Sequence, residues 1–294
     1  MSHIEVVDPT RLNNSLQCLR LYYWCNERHI VPVKPRLPLV YGRGSHATLA
    51  SHYRGEAPGM ALKEFDDIWE ADVIPFLTEM DEEDPKRNPV RWAETFLAYR
   101  KYYSKEPFKV LFVEAPFFLP LSDDIALGGI IDLLVEWLNQ KMVMDHKTTS
   151  VTYPSYFAGF NPNHQFSSYL LGATELLGEE VTTCYVNNLV VLPKNAPPER
   201  MFMRTPTNRS IAQHQMMKDE LLGWWGIVRE CRRTGNWPRN PDRCQRWAGG
   251  CEYHPLCTEI QTNFKKLIPS KAMYREEVWD PIAELRKHGL EETI

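Results

Sequence analysis

No apolar run in the 294-residue chain approaches the ~20 residues of a membrane-crossing helix, which excludes an integral helical membrane protein. Neither sign of charge dominates: the formal net charge is −4 and charged residues make up 24%. A protein that coats DNA with a uniformly basic surface is therefore excluded, although a local basic groove is not. Cysteines are few and odd in number, seven in all, and the N-terminus MSHIEVVDPTR is too polar for a secretory signal. A cytoplasmic location is expected, with metal ligands or free thiols favoured over a disulfide framework. No Gly-x-x-x-x-Gly-Lys-[Ser/Thr] phosphate loop is present, so any ATP-driven motor belongs to a separate protein. Internal repeats, low-complexity tracts and long linkers are also missing. What is there is a large apolar inventory, 43% hydrophobic with 9 Trp, 13 Tyr and 12 Phe, enough for one large or two small domains.

The most informative stretch ends in Asp145-His146-Lys147. One apolar run holds Asp132, a polar break follows at Asn139-Gln140-Lys141, and a second apolar run leads into Asp145. Charged residues inside buried strands are costly unless paired or bound to a metal. Two carboxylates and one amine here have the composition of a metal-dependent phosphodiester-cleaving site. Strand side chains alternate faces, so Asp145 and Lys147 point the same way. A two-residue hairpin loop at Asn139-Gln140 would place Asp132 opposite Lys147 and diagonal to Asp145, on the same face. A three-residue loop without a bulge would put Asp132 on the other face, and the turn has no Gly to fix its type.

Along the chain, residues 40–55 read as helical, with Gly42-Arg43-Gly44-Ser45-His46 opening the stretch. Residues 60–105 read as helices broken by Asp81-Glu82-Glu83-Asp84-Pro85. Strands are expected at 109–119, 125–138 and 142–148, a helix around 156–177, strands at 182–192 and 201–205, and a long helix at 210–233 with Met216, Leu221, Trp224, Trp225 and Val228 toward the core. This order makes an α/β core sheet flanked by helices. Gln165 and Tyr169, spaced i, i+4, share one helical face. Local basic groups at Lys86, Arg87, Arg91, Arg100 and Lys101, and at Arg229, Arg232, Arg233, Arg239, Arg243 and Arg246, are candidates for a groove or for solvated helix faces.

The ordered set His46, Glu114, Gly129-x-x-Asp132, Asp145-x-Lys147 and Gln165-x-x-x-Tyr169 resembles the RecB-like branch of the PD-(D/E)XK nuclease superfamily, over about Ser15 to Cys257. That branch includes the nuclease domains of RecB and AddB, phage exonucleases and CRISPR-associated exonucleases. The resemblance implies a restriction-endonuclease-like core in one domain, residues 1–270, with a helical insertion at about 56–106 and a tail at 271–294. It also implies a DNA exonuclease dependent on Mg²⁺ or Mn²⁺, acting in replication, recombination or repair, with a phage origin among the sources. His46, Asp132, Asp145 and the His146 carbonyl would be ligands, with Glu114 as a further ligand or as an acid holding His46 or Lys147. Lys147 would position the attacking water, and Gln165 and Tyr169 would orient the phosphate.

The cysteines sharpen the resemblance. Cys18, in Ser15-x-x-Cys18-x-Arg20-x-Tyr22, and Cys244-x6-Cys251-x5-Cys257 resemble the iron–sulfur subset, in which such residues ligate a [4Fe–4S] cluster that staples the chain ends (segments 15–25 and 244–257). The C-terminal spacing departs from the tighter C-x2-C usual there, Cys25 competes with Cys18, and Zn²⁺ suits four thiolates almost as well. Cys184 and Cys231 fit buried apolar positions. Expected partners are DNA ends or single strands, with a helicase, an annealing protein or an integration complex as protein partners. The alternatives to a free-standing exonuclease are a DNA-trimming nuclease of CRISPR adaptation and a non-catalytic DNA-binding subunit of a helicase–nuclease.

Overall fold

A computed structural model of the protein describes residues 4–34, 36–76, 86–192, 196–244, 250–258 and 270–290. Its strands are β1 (Glu5–Val7), β2 (Ile30–Pro32), β3 (Lys109–Ser122), β4 (Ile125–Trp137), β5 (Gln140–Thr149), β6 (Thr183–Val190), β7 (Phe202–Asn208) and β8 (Tyr274–Glu276). Its helices are α1 (Pro9–Gln17), α2 (Leu19–Tyr22), α3 (Leu37–Tyr53), α4 (Pro58–Asp72), α5 (Pro89–Tyr102), α6 (Pro154–Ala158), α7 (His164–Leu177), α8 (Pro198–Met201), α9 (Ile211–Thr234), α10 (Pro241–Cys244), α11 (His254–Thr258) and α12 (Pro281–Lys287). A six-stranded sheet runs β1-β4-β5-β6-β7, with β3 on the other edge of β4. The pairs β3–β4, β4–β5 and β6–β7 are antiparallel, while β1–β4 and β5–β6 are parallel. Joining parallel β5 to β6 needs a crossover, which α7 supplies. This is the expected α/β core, a central sheet flanked by helices.

The β4–β5 hairpin turns at Leu138 and Asn139, both at positive φ (52° and 59°), and not at Asn139-Gln140. The register explains the difference. It sets Val143 against Leu134, both fully buried, whereas the expected register would have set Val143 against half-exposed Glu136. Matching apolar partners outweighs a left-handed conformation at Leu138, which is 80% exposed. The shift is two residues, so every side chain keeps its face.

Helix α3 begins at Leu37, with Pro38 in its first turn, so His46 lies mid-helix and not at its start. Gly44 sits where α4 crosses: a Cβ there would fall 2.6 Å from the Phe65 ring. Helices α4 and α5 lie between α3 and β3 in the chain, and their Phe65, Trp69, Trp92, Phe96 and Tyr99 make a second core with Val40 and Tyr41 of α3. The acidic turn Asp81–Pro85 lies outside the described residues. The expected single helix around 156–177 is two, α6 and α7, separated by Gly159–Asn163. Helix α9 opens with a capping box between Ser210 and Gln213 and buries Met217, Leu221, Trp225 and Val228. Met217 replaces the expected Met216, which is 57% exposed, and Trp224 is only half-buried. The charged C-terminal segment packs on the body: β8 pairs with β2, and α12 drives Leu285 against Gly128 of β4.

Candidate active site

Strand β4 makes the site by dividing one of its edges. Its pairing with β3 extends along one edge from Ile125 to Glu136, so β1 and β5 share the other. β1 takes Ile125–Leu127 and β5 takes Leu133–Trp137, which leaves Gly128 to Asp132 unpaired between them. Beyond Met144, β5 stays with β6 as far as Thr149. The sheet therefore forks where Asp132 faces Asp145. Sequence reasoning set Asp132 opposite Lys147; the observed turn sets it opposite Asp145 and diagonal to Lys147, on the same face. At the fork the Asp132 carboxylate supplies the acceptor that the parted strand no longer offers, taking the His146 N–H at 2.7 Å.

Asp145 is 1% exposed, and neither of its oxygens accepts a well-directed hydrogen bond. It pairs with Lys147, whose Nζ lies 2.6 Å from Oδ2. Burial raises the Asp145 carboxyl to about 6, with Lys147 opposing the rise. Asp132 goes the other way. Burial disfavours its charge, but His46, with Nδ1 3.3 Å from Oδ2, holds it well below the usual carboxylate range. His46 is raised in turn, since Asp132 outweighs the burial that would lower it. Lys147 is raised because Asp145 and Asp132 overcome its burial. Two adjacent carboxylates held at different proton affinities beside an ammonium ion suit a divalent cation, which would satisfy the orphaned Asp145 oxygens.

Helix α7 lies beneath this face. Asn163 caps it through the Gln165 and Phe166 N–H groups. Phe166 puts its ring 5.6 Å from the Lys147 ammonium. Gln165 Nε2 donates to the Tyr169 hydroxyl at 3.0 Å, and Tyr169 is buried against Phe117. Gly172 admits that same Phe117 ring, which a Cβ would meet at 2.4 Å.

Glu114 departs from expectation. It falls between the pairs Val113↔Leu133 and Ala115↔Ile131, hence across β3–β4 from Asp132, at a positive φ of 50°. Its carboxylate binds Arg54 and lies 3.9 Å from His288, so it holds neither His46 nor Lys147. The His146 side chain turns to the opposite face. There it stacks on Tyr53 and meets Asn187 Nδ2 at 2.9 Å through Nδ1.

Behind that ring is a network the sequence reading missed. Asn187 Nδ2 also donates to the Tyr99 hydroxyl, and Arg204 donates to both Glu106 oxygens, to Asn187 Oδ1 and to the Tyr53 and Tyr99 hydroxyls. The sequence carried one signal for it, the adjacent amides Asn187-Asn188 inside an apolar strand, since a buried amide needs partners.

The four proposed cysteine ligands are partly buried free thiols. Asn240 ties the two chain ends together: its N–H donates to Cys18 Sγ at 3.3 Å and its side chain to the Gln17 carbonyl. The Cys251 N–H donates to the Cys244 carbonyl at 2.8 Å. Cys25 is engaged elsewhere, by Asn14 and Asn26, and burial pushes its thiol up to about 12. Cys184 and Cys231 are buried in the core. Among the described residues, no three His, Cys, Asp or Glu side chains already stand in metal-ligating geometry. Of the second basic group, Arg229, Arg232 and Arg233 are consumed in ion pairs with Asp124, with Glu5 and Glu27, and with Glu230, while Arg246 lies outside the described residues. Among the described residues no helix is long and apolar enough to cross a membrane.

A forked mixed sheet with two acids and a lysine at the parting is the architecture of a PD-(D/E)XK-type nuclease core. The profile of the PD-(D/E)XK nuclease superfamily matches residues 7–258, and the chain belongs to that superfamily. Among solved structures, a candidate exonuclease from Eubacterium rectale matches with a TM-score of 0.52 at 11% identity, over 82% of this chain and 86% of that one. An alkaline exonuclease from Laribacter hongkongensis matches with a TM-score of 0.30 at 11% identity, over 64% of this chain and 91% of its own. The first likeness bears on fold alone. No curated protein sequence matches the chain.

Proposed function

We propose that the chain is a deoxyribonuclease dependent on Mg²⁺ or Mn²⁺ that degrades DNA from its ends, in replication, recombination or repair. The observation that carries this reading is the buried Asp145 carboxylate, paired with Lys147 at 2.6 Å and facing Asp132 across the parted strands. Asp132, Asp145, His46 and the His146 carbonyl would hold the cation. When bound, the cation would lower the pKa of an attacking water and neutralise charge on the phosphate. Lys147, which holds its proton, would fix the water or the developing phosphorane charge. Gln165 and Tyr169 would orient the strand through the Gln165 amide. Glu114, engaged by Arg54, is left out of the ligand set.

The same reading gives the cysteines a [4Fe–4S] cluster on Cys18, Cys244, Cys251 and Cys257, with zinc as the competing metal. Support comes from the Asn240 tether between the two cysteine segments and from the engagement of Cys25 elsewhere. Incubation of end-labelled linear DNA and of covalently closed circles with purified protein and Mg²⁺ or Mn²⁺ tests the activity. Linear DNA should disappear and closed circles should persist. Equal loss of both would replace the end-dependent reading with an endonuclease.

A further inference from the structure

Between β5 and α7 the chain places Tyr153, Tyr156, Phe157 and Phe160 in one short segment. Their rings join the candidate active site in a connected series. Phe166, under the Lys147 ammonium, meets Phe160 edge-on at 5.4 Å. Phe160 meets Tyr156 at 5.2 Å, and Tyr156 meets Phe157 at 5.3 Å. Burial changes along the series: Phe166 and Phe160 are buried, Tyr156 and Phe157 are half-buried, and Tyr153 is 60% exposed. The Tyr156 hydroxyl lies near Thr149, which shares the Lys147 face of β5, so this ledge adjoins the strand that carries Lys147.

Sealing the end of the core accounts for Phe160 and Phe166. It does not account for Tyr153 in water or for the partial exposure of Tyr156 and Phe157. A nucleotide carries an anionic phosphate and a π-face, and the ammonium of Lys147 beside an aromatic ledge offers the complement of both. We infer that this ledge is a subsite for an unpaired nucleobase. The base next to the phosphate at Lys147 stacks on Tyr156 and Phe157, and Tyr153 takes its neighbour. A base-paired end cannot present that face without fraying, so the subsite selects single-stranded or frayed ends. The inference rests on the nuclease reading, because it places the phosphate at Lys147.

The test uses full-length wild-type protein and the variants Tyr153→Ala, Tyr156→Leu and Tyr156→Phe. Two quantities are measured: quenching of a terminal 2-aminopurine in a single-stranded oligonucleotide in EDTA, and kcat and KM on single-stranded and blunt duplex DNA. Tyr156→Leu should raise KM for single strands about tenfold, as loss of one stacked base implies, with kcat held and the duplex little affected. It should also abolish quenching, while Tyr156→Phe retains both properties. Tyr153→Ala, a change at an exposed ring, should shift the same quantities in the same direction, and it decides alone if Tyr156→Leu does not fold. Intact cleavage with unchanged single-strand KM and quenching in Tyr153→Ala and Tyr156→Leu overturns the subsite and leaves the nuclease reading standing. Neither binding nor cleavage by the wild type overturns both.

Discussion

Asp132 on β4 accepts the backbone N–H of His146 on β5, so the acid of one strand is fastened to the peptide that follows the acid of the other. This bond spans the point where the strands part, and it fixes the spacing of the two carboxylates without occupying Asp145. Asp145→Asn should therefore lower cleavage at least about a hundredfold, since it removes the charged ligand of the cation. It should also lower the melting temperature, because it leaves the Lys147 ammonium without the buried carboxylate that lies 2.6 Å from it. Lys147→Ala should cost about 10²–10³ in kcat. Nuclease assays beside thermal melts check both variants, and near-wild-type turnover in either one refutes the site.

Cation affinity should fall in acid. The Asp145 carboxyl is held up at about 6 by burial, so below that pH a cation must displace a proton to bind. Asp145 alone implies binding about tenfold weaker at pH 5 than at pH 7, and the raised His46, a second ligand in this reading, adds another proton for the cation to displace. Mn²⁺ titrations followed by electron paramagnetic resonance measure this directly. A flat profile between pH 5 and 7 would take Asp145 out of the ligand set. EDTA should stop turnover, and Ca²⁺ should support binding with little turnover.

Gln165→Ala and Tyr169→Phe test the helix beneath the site. Gln165 is half-exposed and donates to the buried Tyr169 hydroxyl. Losing the amide should lower turnover by roughly tenfold, a positioning effect smaller than loss of Asp145. Tyr169→Phe should act in the same direction by freeing the amide. Steady-state kinetics of the two variants and their double mutant should show non-additive losses, since they break one shared bond.

Much of this arrangement was legible in the sequence. Asp132, Asp145 and Lys147 stood out because charge inside apolar strands has few structural uses, and strand alternation fixed their common face whichever even-register turn formed. The exact pairing was not legible, because it depends on Val143 finding Leu134, a packing choice that propensity does not register. Glu114 illustrates the same limit. Its position across from Asp132 follows from strand order, but its capture by Arg54 depends on where α3 ends relative to β3. The network behind His146 was hidden because its members lie far apart in sequence, from Tyr53 to Arg204, and meet only through the fold.

That network yields a stability prediction. Arg204 is 13% exposed and its counter-ion Glu106 is 18% exposed, with the guanidinium stacked 3.6 Å over Tyr103. Glu106→Gln should destabilise the protein by about 3–5 kcal/mol, because it leaves a buried cation without its charge partner. The double change Arg204→Met with Glu106→Leu should cost less than the sum of the single changes. Urea denaturation of the four proteins measures the coupling. Strict additivity would show that the pair is not a unit.

Iron content decides the cysteine assignment. Anaerobically purified protein should be brown and carry about four iron atoms per chain, the loading of a [4Fe–4S] cluster on four cysteines. Cys18 and the three C-terminal cysteines lie at opposite ends of the chain, and Asn240 already holds the two segments together. A cluster there closes a loop of most of the protein, so Cys18→Ser should lower both iron and thermal stability. Cys25→Ser should leave iron unchanged, because that thiol is bonded to Asn14 and Asn26 and burial holds it protonated. Cys184→Ser and Cys231→Ser should do the same, since both sulfurs are buried in the core. Elemental analysis with sulfide assay reads the result. Stoichiometric zinc without sulfide would keep the four-cysteine site and remove the cluster. Absence of both metals, with Cys18→Ser as stable as wild type, would leave Asn240 alone to join the chain ends.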